Sequence, residues 1–584
     1  MSFRNWAVLL AAVTLVASIA AWQRAAVKVD YHILAAEPEN INTKYEPVRF
    51  GDEVPAATVT AVLAAGEVHP KLFEIKADDC LAEFQFNGIL LPLNYPLCSY
   101  PESVQLNLGG LIRPGRNVVR AVVKNKGGHG GFVISPSRMD SMVKTRALLV
   151  LLALAVFIWA ALNKAEAYRS DKVVWTFCVL GIVLRVGYYL FTPYWTRGYD
   201  YFGHLEYIDF VRSNWTLPPS AEGWMYYQPP LYYFVSAALV TLADLVFPGR
   251  FNSADAVQFF GAVCSIVFLL LLIKLLTELF FGRTQRRIAA GLGAVWPGLV
   301  LFASRINNDV LLAPLLLVSL LFLLKRWRRE SKSAEVRLAI FIGLSILTKS
   351  NALVVLAAAL VAILAKRPIA SLKSAASILL IVVLLTGPYY LCRSLKSDAL
   401  MLGGNLDLDD GLHVETTPRS LLAFSPNSLF EQPFTDPRED GFRKDVFLEY
   451  WLRTSLFGEF QFNGSPEIFA RASMVCAVLI IMIAMLGLAM SRRKRDDDDL
   501  LMLLVFVAAA AAHLLYRLSV PFSSGQDFRY TWMLLVPVWY FYARVVEYEW
   551  KAVRASVVVV STMFVVSASC FICFAWWALL PMWR

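Results

Sequence analysis

The sequence predicts a polytopic α-helical membrane protein of about thirteen transmembrane helices, with one extracytoplasmic all-β, jelly-roll-like domain inserted near its start. Three observations predict it. Of 584 residues, 58% are hydrophobic and only 17% charged, and mean hydropathy is +0.54, as in chains built from repeated apolar runs of ~20 residues. Residues 28–142 break this pattern with short alternating runs and turn dipeptides. Basic residues gather in short loops between apolar runs, which is an orientation signal. The net charge of +10 therefore argues for a bilayer rather than for nucleic acid.

Residues 1–27 read as an N-terminal transmembrane anchor, apolar from Trp6 to Trp22 behind Arg4. A retained anchor is favoured over a cleaved signal peptide ending near 17–20, and either would export the β region. In the β domain, Phe84-Gln-Phe86 and Val118-Val-Arg-Ala-Val-Val123 alternate. Asn87-Gly88 is a hairpin dipeptide, and Pro114-Gly115 and Gly127-Gly128 punctuate the rest. A second span falls within 143–165, and 172–577 forms a transmembrane domain with outer loops at 193–254 and 392–471.

The loops 164–172, 283–287, 325–337, 366–373, 492–495 and 544–554 are basic, so all are expected on the cytoplasmic side. Spans at 6–22, 146–163, 173–192, 255–280, 288–304, 310–324, 337–349, 351–365, 375–391, 472–490, 500–517, 531–547 and 555–577 satisfy every one. The run 231–247 is apolar enough to tempt assignment as a span. Counting it would place Arg283, Arg286 and Arg287 outside and invert every later loop, so it is expected at the interface or re-entering from the outer side.

Cys80 and Cys98 share the polar β region and would form a disulfide in an oxidising compartment. Cys178, Cys264, Cys476, Cys570 and Cys573 fall in apolar runs, where cysteine packs as a small hydrophobe. No zinc-type spacing occurs. In the loop after 391, Asp407, Asp409, Asp410 and His413 are better read as solvated than as a calcium site. Phe447-Leu-Glu-Tyr-Trp-Leu452 is expected to lie on the membrane and help cover a site.

The chemistry is expected between Thr192 and Phe234, where Asp200, His204, Glu206 and Asp209 come after an apolar helix amid tyrosines and tryptophans. Asp309 sits at the outer end of another span, and an acid so close to apolar sequence needs a partner or a task. By loop parity Asp200, Asp309, Arg393, Arg453 and Arg529 share one face.

In their order, several short motifs resemble those of the GT-C superfamily of polytopic glycosyltransferases, which use polyprenyl-phosphate-linked sugars on the extracytoplasmic face. They are the Asp200 loop, Pro229-Pro-Leu-Tyr-Tyr233, Ser304-Arg-Ile-Asn-Asn-Asp309, Leu347-Thr-Lys-Ser350, Gly387-Pro388 and Gln526-Asp-Phe-Arg-Tyr530. The resemblance covers roughly 172–550. A β domain between the first two spans is similar to bacterial arabinofuranosyltransferases, of cell-wall and pilin-modifying types. The run Ala77–Gly88 with 111–117 and 125–131 resembles galactose-binding-like jelly rolls, with His129 read as a turn residue.

The resemblance implies a GT-C-like fold and an inverting hexosyl- or pentosyltransferase of a bacterial inner membrane, its active site facing the periplasm. The catalytic residues would be Asp200 as general base, Glu206 and Asp309. Lys349, Arg393, Arg305, Arg453, Arg529 and Gln228 would bind the donor phosphate, and His204, Tyr227 and Tyr201 the substrate. The partners would be the bilayer, a polyprenyl-phosphate-linked sugar, and a glycan, lipid or protein acceptor. No cofactor is certain, although a divalent cation near Asp309 is an option. Where relatives carry an acid doublet, Asp200 is succeeded by Tyr201. Where some carry lysine or histidine before Pro-Pro, this chain has Gln228, so a phosphate role would pass to Lys349, Arg305 or Arg393. Two other readings are kept: a polysaccharide polymerase or ligase using lipid-linked oligosaccharide, and a non-enzymatic lipid-sugar transporter.

Overall fold

The computed structural model describes residues 27–34, 48–137, 140–141, 145, 149 and 171–577, with interruptions at 52–53, 67–68, 79, 92–96, 99–103, 126–129, 199, 247–252, 281, 367–368, 370, 397–411, 439–440, 442, 463–465, 492–495 and 548–550. The expected spans at 6–22 and, apart from Leu149, 146–163, together with His129 and the acids at 407–410, lie outside the described residues. The chain divides into two units, Met1–Glu166 with Trp576–Arg584, and Ala167–Ala575.

The first unit is built from antiparallel strands in two sheets. One has the order β1 (Lys28–Leu34), β3 (Ala56–Ala65), β9 (Gly115–Lys124), β5 (Cys80–Phe86), β6 (Ile89–Leu90), with β7 (Leu97–Cys98) also on β5. The other runs β2 (Val48–Phe50), β10 (Gly130–Pro136), β4 (Leu72–Asp78), β8 (Val104–Asn107). Alternate residues of β3 and β9 are buried, as the two-residue repeat of a strand requires. Val59, Ala61 and Leu63 of one sheet share a core with Phe73, Ile75 and Phe132 of the other. The expected hairpin at Asn87-Gly88 is present, with both residues at positive φ (51° and 82°), the backbone that a two-residue turn between twisted strands demands. Cys80 is disulfide-bonded, and the register sets Cys98 directly opposite it.

The second unit is helical. In order it contains α1 (Lys172–Phe191), α2 (Tyr201–Asn214), α3 (Leu231–Val246), α4 (Ser253–Leu279), α5 (Arg283–Val295), α6 (Pro297–Leu301), α7 (Asp309–Arg328), α8 (Lys332–Thr348), α9 (Leu353–Lys366), α10 (Leu372–Lys396), α11 (Pro418–Leu422), α12 (Pro426–Glu431), α13 (Phe447–Phe457), α14 (Pro466–Ser491), α15 (Asp497–Ser519), α16 (Leu535–Arg544) and α17 (Lys551–Trp577). Among the described residues seven helices are long and apolar enough to cross a bilayer: α1, α4, α7, α10, α14, α15 and α17. The pair Arg283–Val295 and Pro297–Ser304, bent by 49°, makes an eighth if it is taken as one broken span rather than a re-entrant loop; Pro297, which has no N–H to continue the first helix, lies at the bend.

The remaining spans expected at 337–349, 351–365 and 531–547 land on shorter helices. α8, α9 and α16 have 17, 14 and 10 residues. α16 lies between 3-10 turns, with Leu535 to Ala543 all buried. Its apolar run fills protein interior instead of facing lipid on its own. α13 also departs from expectation. Phe447, Tyr450, Leu452 and Leu456 are buried together with its Glu449 and Arg453, so apolar and charged side chains alike are enclosed by protein.

The run 231–247 forms α3, side by side and parallel with α2, since His204 meets Tyr233 and Arg212 meets Asp244. Arg212 also donates to Ser253 at the start of α4, 3.2 Å away. The next turn of α4 carries Gln258, which donates to the carbonyls of Thr192 and Ser304. The end of α3 is thus tied to the beginning of α4, at the end of the bundle where α1 finishes and α7 begins.

Candidate functional site

Because α7 runs away from Asp309 and α8 runs back to Lys349, the two residues finish at the same level. Lys349 Nζ donates to both carboxylate oxygens of Asp309, at 2.7 and 2.9 Å. Both side chains are about one-tenth exposed or less. Lys349 Nζ also lies 4.9 Å from the centre of the Tyr530 ring. Asn308, the residue before Asp309, donates to Gln228 Oε1 and to the Thr348 carbonyl, each at 3.2 Å. Gln228 Nε2 in turn donates to the Tyr227 hydroxyl at 3.0 Å.

The segment around Gln228 is fixed from α10. Tyr389 donates to the carbonyls of Tyr227 and Gln228 at 3.3 and 3.2 Å. Arg393 donates to the carbonyls of Pro218 and Tyr226 at 2.6 and 2.8 Å. The Arg393 guanidinium, proposed from sequence as a phosphate ligand, is therefore occupied in holding the loop that precedes Pro229-Pro230.

Asp200 occupies the N-cap position of α2 but makes no side-chain capping bond. Its carboxylate, about 27% exposed, faces Arg529 Nη1 at 3.9 Å. Arg529 also meets Asp527 Oδ2 at 3.3 Å. The small aspartate cap that α2 could use is instead turned toward a cation from a turn more than 300 residues later in the chain. His204, one helical turn on, is buried with Nδ1 2.8 Å from the Tyr233 hydroxyl. Burial outweighs the nearby Asp200 charge and lowers its pKa to about 4, so the ring is neutral near pH 7.

The other predicted residues scatter around this centre. Tyr201 is buried edge-on to Tyr194, ring centres 5.6 Å apart. Glu206 is half-buried on α2; burial first, and then the Glu206 charge, raise the pKa of Tyr226. Arg305 is buried between Phe302 and Phe460, 4.4 and 4.5 Å from the ring centres. Arg453 lies elsewhere in purpose: its guanidinium donates to Gln432 and Ser428 carbonyls and pairs with Glu449 at 3.5 Å. It closes the 418–457 segment on itself and leaves no donor for a substrate phosphate there.

Two acids passed over in the sequence belong to the cluster. Asp527 is wholly buried, and burial raises its pKa against the pull of Arg529 and Arg305. Glu459 comes after the Gly458 turn that ends α13 and accepts from Tyr450 at 2.7 Å. Burial, then the negative Asp527, push it up to about 7. Asp527 stood inside a quoted motif, but Glu459 carried no signal of spacing.

A cavity of about 40 Å³ opens between Asp309, Arg529, Trp532, Phe302 and Phe268. Among the described residues, no three His, Cys, Asp or Glu side chains come together as a metal site. Both oxygens of Asp309 are engaged by Lys349, so that carboxylate as it stands does not offer itself to a divalent ion.

Residues 228–390 match the family model described as dolichyl-phosphate-mannose-protein mannosyltransferase. The match contains the Pro-Pro segment, Asp309, Lys349 and Gly387-Pro388, and leaves out Asp200 and Arg529. No curated protein is significantly similar to the chain. Among solved structures, ArnT from Cupriavidus metallidurans bound to undecaprenyl phosphate aligns at 12% identity and TM-score 0.34, covering 71% of this chain and 77% of its own. An oligosaccharyltransferase of Archaeoglobus fulgidus aligns at 13% and 0.40 over 70% and 54%. The arabinosyltransferase EmbB from Mycobacterium smegmatis aligns at 11% and 0.33 over 90% and 46%. The chain spans about half the length of these last two.

Proposed function

We propose that this chain, a GT-C-type membrane glycosyltransferase by its 228–390 segment, transfers one sugar from a polyprenyl-phosphate donor to an acceptor hydroxyl with Asp200 as general base. The observation that carries the reading is the half-open pair of Asp200 and Arg529, 3.9 Å apart, beside the closed pair of Asp309 and Lys349. A base must be reachable and able to take a proton. Asp200 is partly exposed, whereas both oxygens of Asp309 are bound to an ammonium.

The acceptor oxygen attacks the anomeric carbon as Asp200 takes its proton. The bond from that carbon to the phosphate oxygen breaks, and the lipid phosphate leaves with the electron pair. A proton on Asp200 cancels the negative charge facing Arg529 at the moment the leaving phosphate gains charge. Arg529 is then the cation best placed to stabilise departure. Lys349, already neutralised by Asp309, sets the charge balance and holds the start of α7. Attack opposite the leaving group inverts the anomeric centre.

The donor sugar proposed is arabinofuranose, on the organisation of the chain: a β unit ahead of a helical transferase unit. The strand order of that unit supports the jelly-roll reading, with β2-β10-β4-β8 in one sheet and β3-β9-β5-β6 in the other. A cell-envelope glycan or a pilin is the proposed acceptor, on the periplasmic side of a bacterial inner membrane. Purified protein given polyprenyl-phosphoryl arabinofuranose, and separately hexosyl donors, is expected to release polyprenyl phosphate. Asp200→Asn and Asp200→Ala are expected to slow release by about 10²–10⁴-fold. Full activity in either variant removes Asp200 as base, and turnover only of oligosaccharide-linked lipids would move the protein to the polymerase class.

A further inference from the structure

At the end of the bundle opposite Asp309 and Lys349, the same two helices enclose a second and larger space. Twenty residues of α7 at ~1.5 Å each put it roughly 30 Å from the site, about the hydrocarbon thickness of a bilayer. Its volume is about 450 Å³, and Lys325, Arg328, Arg329, Arg337, Ser331 and Ser333 line it, together with Glu278 and Phe322.

We propose that this cavity binds the phosphate headgroup of an anionic membrane lipid in the leaflet facing away from the active site. Four cations line it against one carboxylate. Arg328 is already answered by Asp498, at 3.0 Å from Nε, and donates to the Glu278 carbonyl. Glu335, nearby on α8, is taken by Arg326 at 3.2 Å and by Ser374. That leaves Arg329, Lys325 and Arg337, and the last two converge on one aromatic ring. Lys325 Nζ is 5.6 Å and Arg337 Cζ 5.7 Å from the centre of Phe322. Among the described residues no carboxylate pairs with either cation. Two like charges drawn to one ring repel each other, and an anion seated between them would relieve the repulsion.

The two serines add hydroxyl donors suited to phosphate oxygens. Ser331 spends an acceptor lone pair on the Ala334 N–H, which leaves its own O–H to donate. The surface beside the cavity favours a lipid over a free ion. Val336 and Ile340, flanking Arg337 on α8, are 41% and 37% exposed. They extend an apolar track from the headgroup cavity along the helix, where acyl chains would lie. Basic clusters at the end of spanning helices attract the anionic lipids of the cytoplasmic leaflet, the side that the charge bias assigns to this end. Lipid binding here is independent of the transferase reading.

The test uses the full chain reconstituted in nanodiscs of phosphatidylcholine with a minority of phosphatidylglycerol, released into native mass spectrometry. One phosphatidylglycerol is expected to remain bound. Lys325→Gln with Arg337→Gln is expected to weaken its retention on the order of tenfold or more, each surface cation being worth a few-fold. A control with the same loss of charge, Arg283→Gln with Lys373→Gln, is expected to retain the lipid. Equal retention of phosphatidylcholine and phosphatidylglycerol, or equal loss in both double variants, overturns the site. Displacement of the lipid by millimolar inorganic phosphate would overturn the lipid as its ligand and assign the cavity to a soluble anion.

Discussion

Asp309 with Lys349 and Asp200 with Arg529 are both acid–cation pairs at one end of the same bundle, yet they are built for different work. In the first, the ammonium reaches both carboxylate oxygens within 2.9 Å and water is almost excluded. In the second, the nearest approach is 3.9 Å and the carboxylate is more than a quarter exposed. A buried pair with every charge satisfied contributes structure, and breaking it strands a charge. A loose, accessible pair contributes little to stability and leaves its acid free to exchange a proton. What separates the carboxylate proposed as base from its buried counterpart is therefore geometry, since sequence gives both the same setting at the end of an apolar helix.

The largest expected effect breaks the comparison on its catalytic side. Asp200→Asn should reduce transfer by about 10²–10⁴-fold while the thermal unfolding midpoint in detergent stays near wild type. A large drop in midpoint would mean that the open pair is structural after all.

Next comes the closed pair. Lys349→Met leaves the Asp309 carboxylate buried and unanswered, a change that costs about 3–5 kcal/mol in buried pairs. Adding Asp309→Leu to it should recover most of the loss in thermal stability. If Lys349→Met instead keeps its stability and raises the donor KM, Lys349 is a phosphate ligand and the contrast between the two pairs is wrong.

The sequence carried much of this end of the molecule. Asp200, Asp309, Lys349 and Arg529 are legible because each is a charge next to an apolar run, where an ionisable group needs a reason to be. The order of the motifs from Pro229 to Pro388 was legible too, and the family match covers the same stretch. What stayed hidden depends on chain return. Arg453 reads as a candidate donor-phosphate ligand beside an amphipathic run, but the carbonyls of Ser428 and Gln432 accept from it, and no local pattern announces that. Glu459 lies in Gly458-Glu-Phe-Gln-Phe462, whose alternation puts it on the polar side of a strand-like run and gives no sign of a buried acid. Its importance appears only when α13 brings it beside the 526–530 turn. Among the described residues fewer helices than expected are long enough to span, for a related reason: α16, although apolar, has only 10 residues and is buried from Leu535 to Ala543.

Glu459 sharpens the comparison through pH. Its folded pKa of about 7 lies above the ordinary 4.5, so its contribution to stability is complete below about 4.5 and is lost as pH rises through about 7. By pH 8 the loss is on the order of 3 kcal/mol. Glu459→Gln, whose amide oxygen can still accept from Tyr450, should flatten that alkaline fall in unfolding midpoint. An unchanged alkaline limb in the variant would assign the fall to another group, Asp527 first.

The smallest effect comes from His204, and its sign is opposite. Its folded pKa is about 4, below the usual 6.5, with burial the main cause. The unfolded chain therefore binds the proton first, and stability present above about 6.5 is lost as pH falls toward 4, on the order of 2 kcal/mol by pH 5. His204→Gln should abolish that acid limb while keeping a side-chain partner for the Tyr233 hydroxyl. Because His204 lies one turn from Asp200, the variant also tests whether the open pair depends on its neutral neighbour. If transfer at pH 7 falls only a few-fold while the acid limb disappears, His204 supports α2 and Asp200 works without it. A loss as large as that of Asp200→Asn would instead bring the imidazole into the chemistry itself.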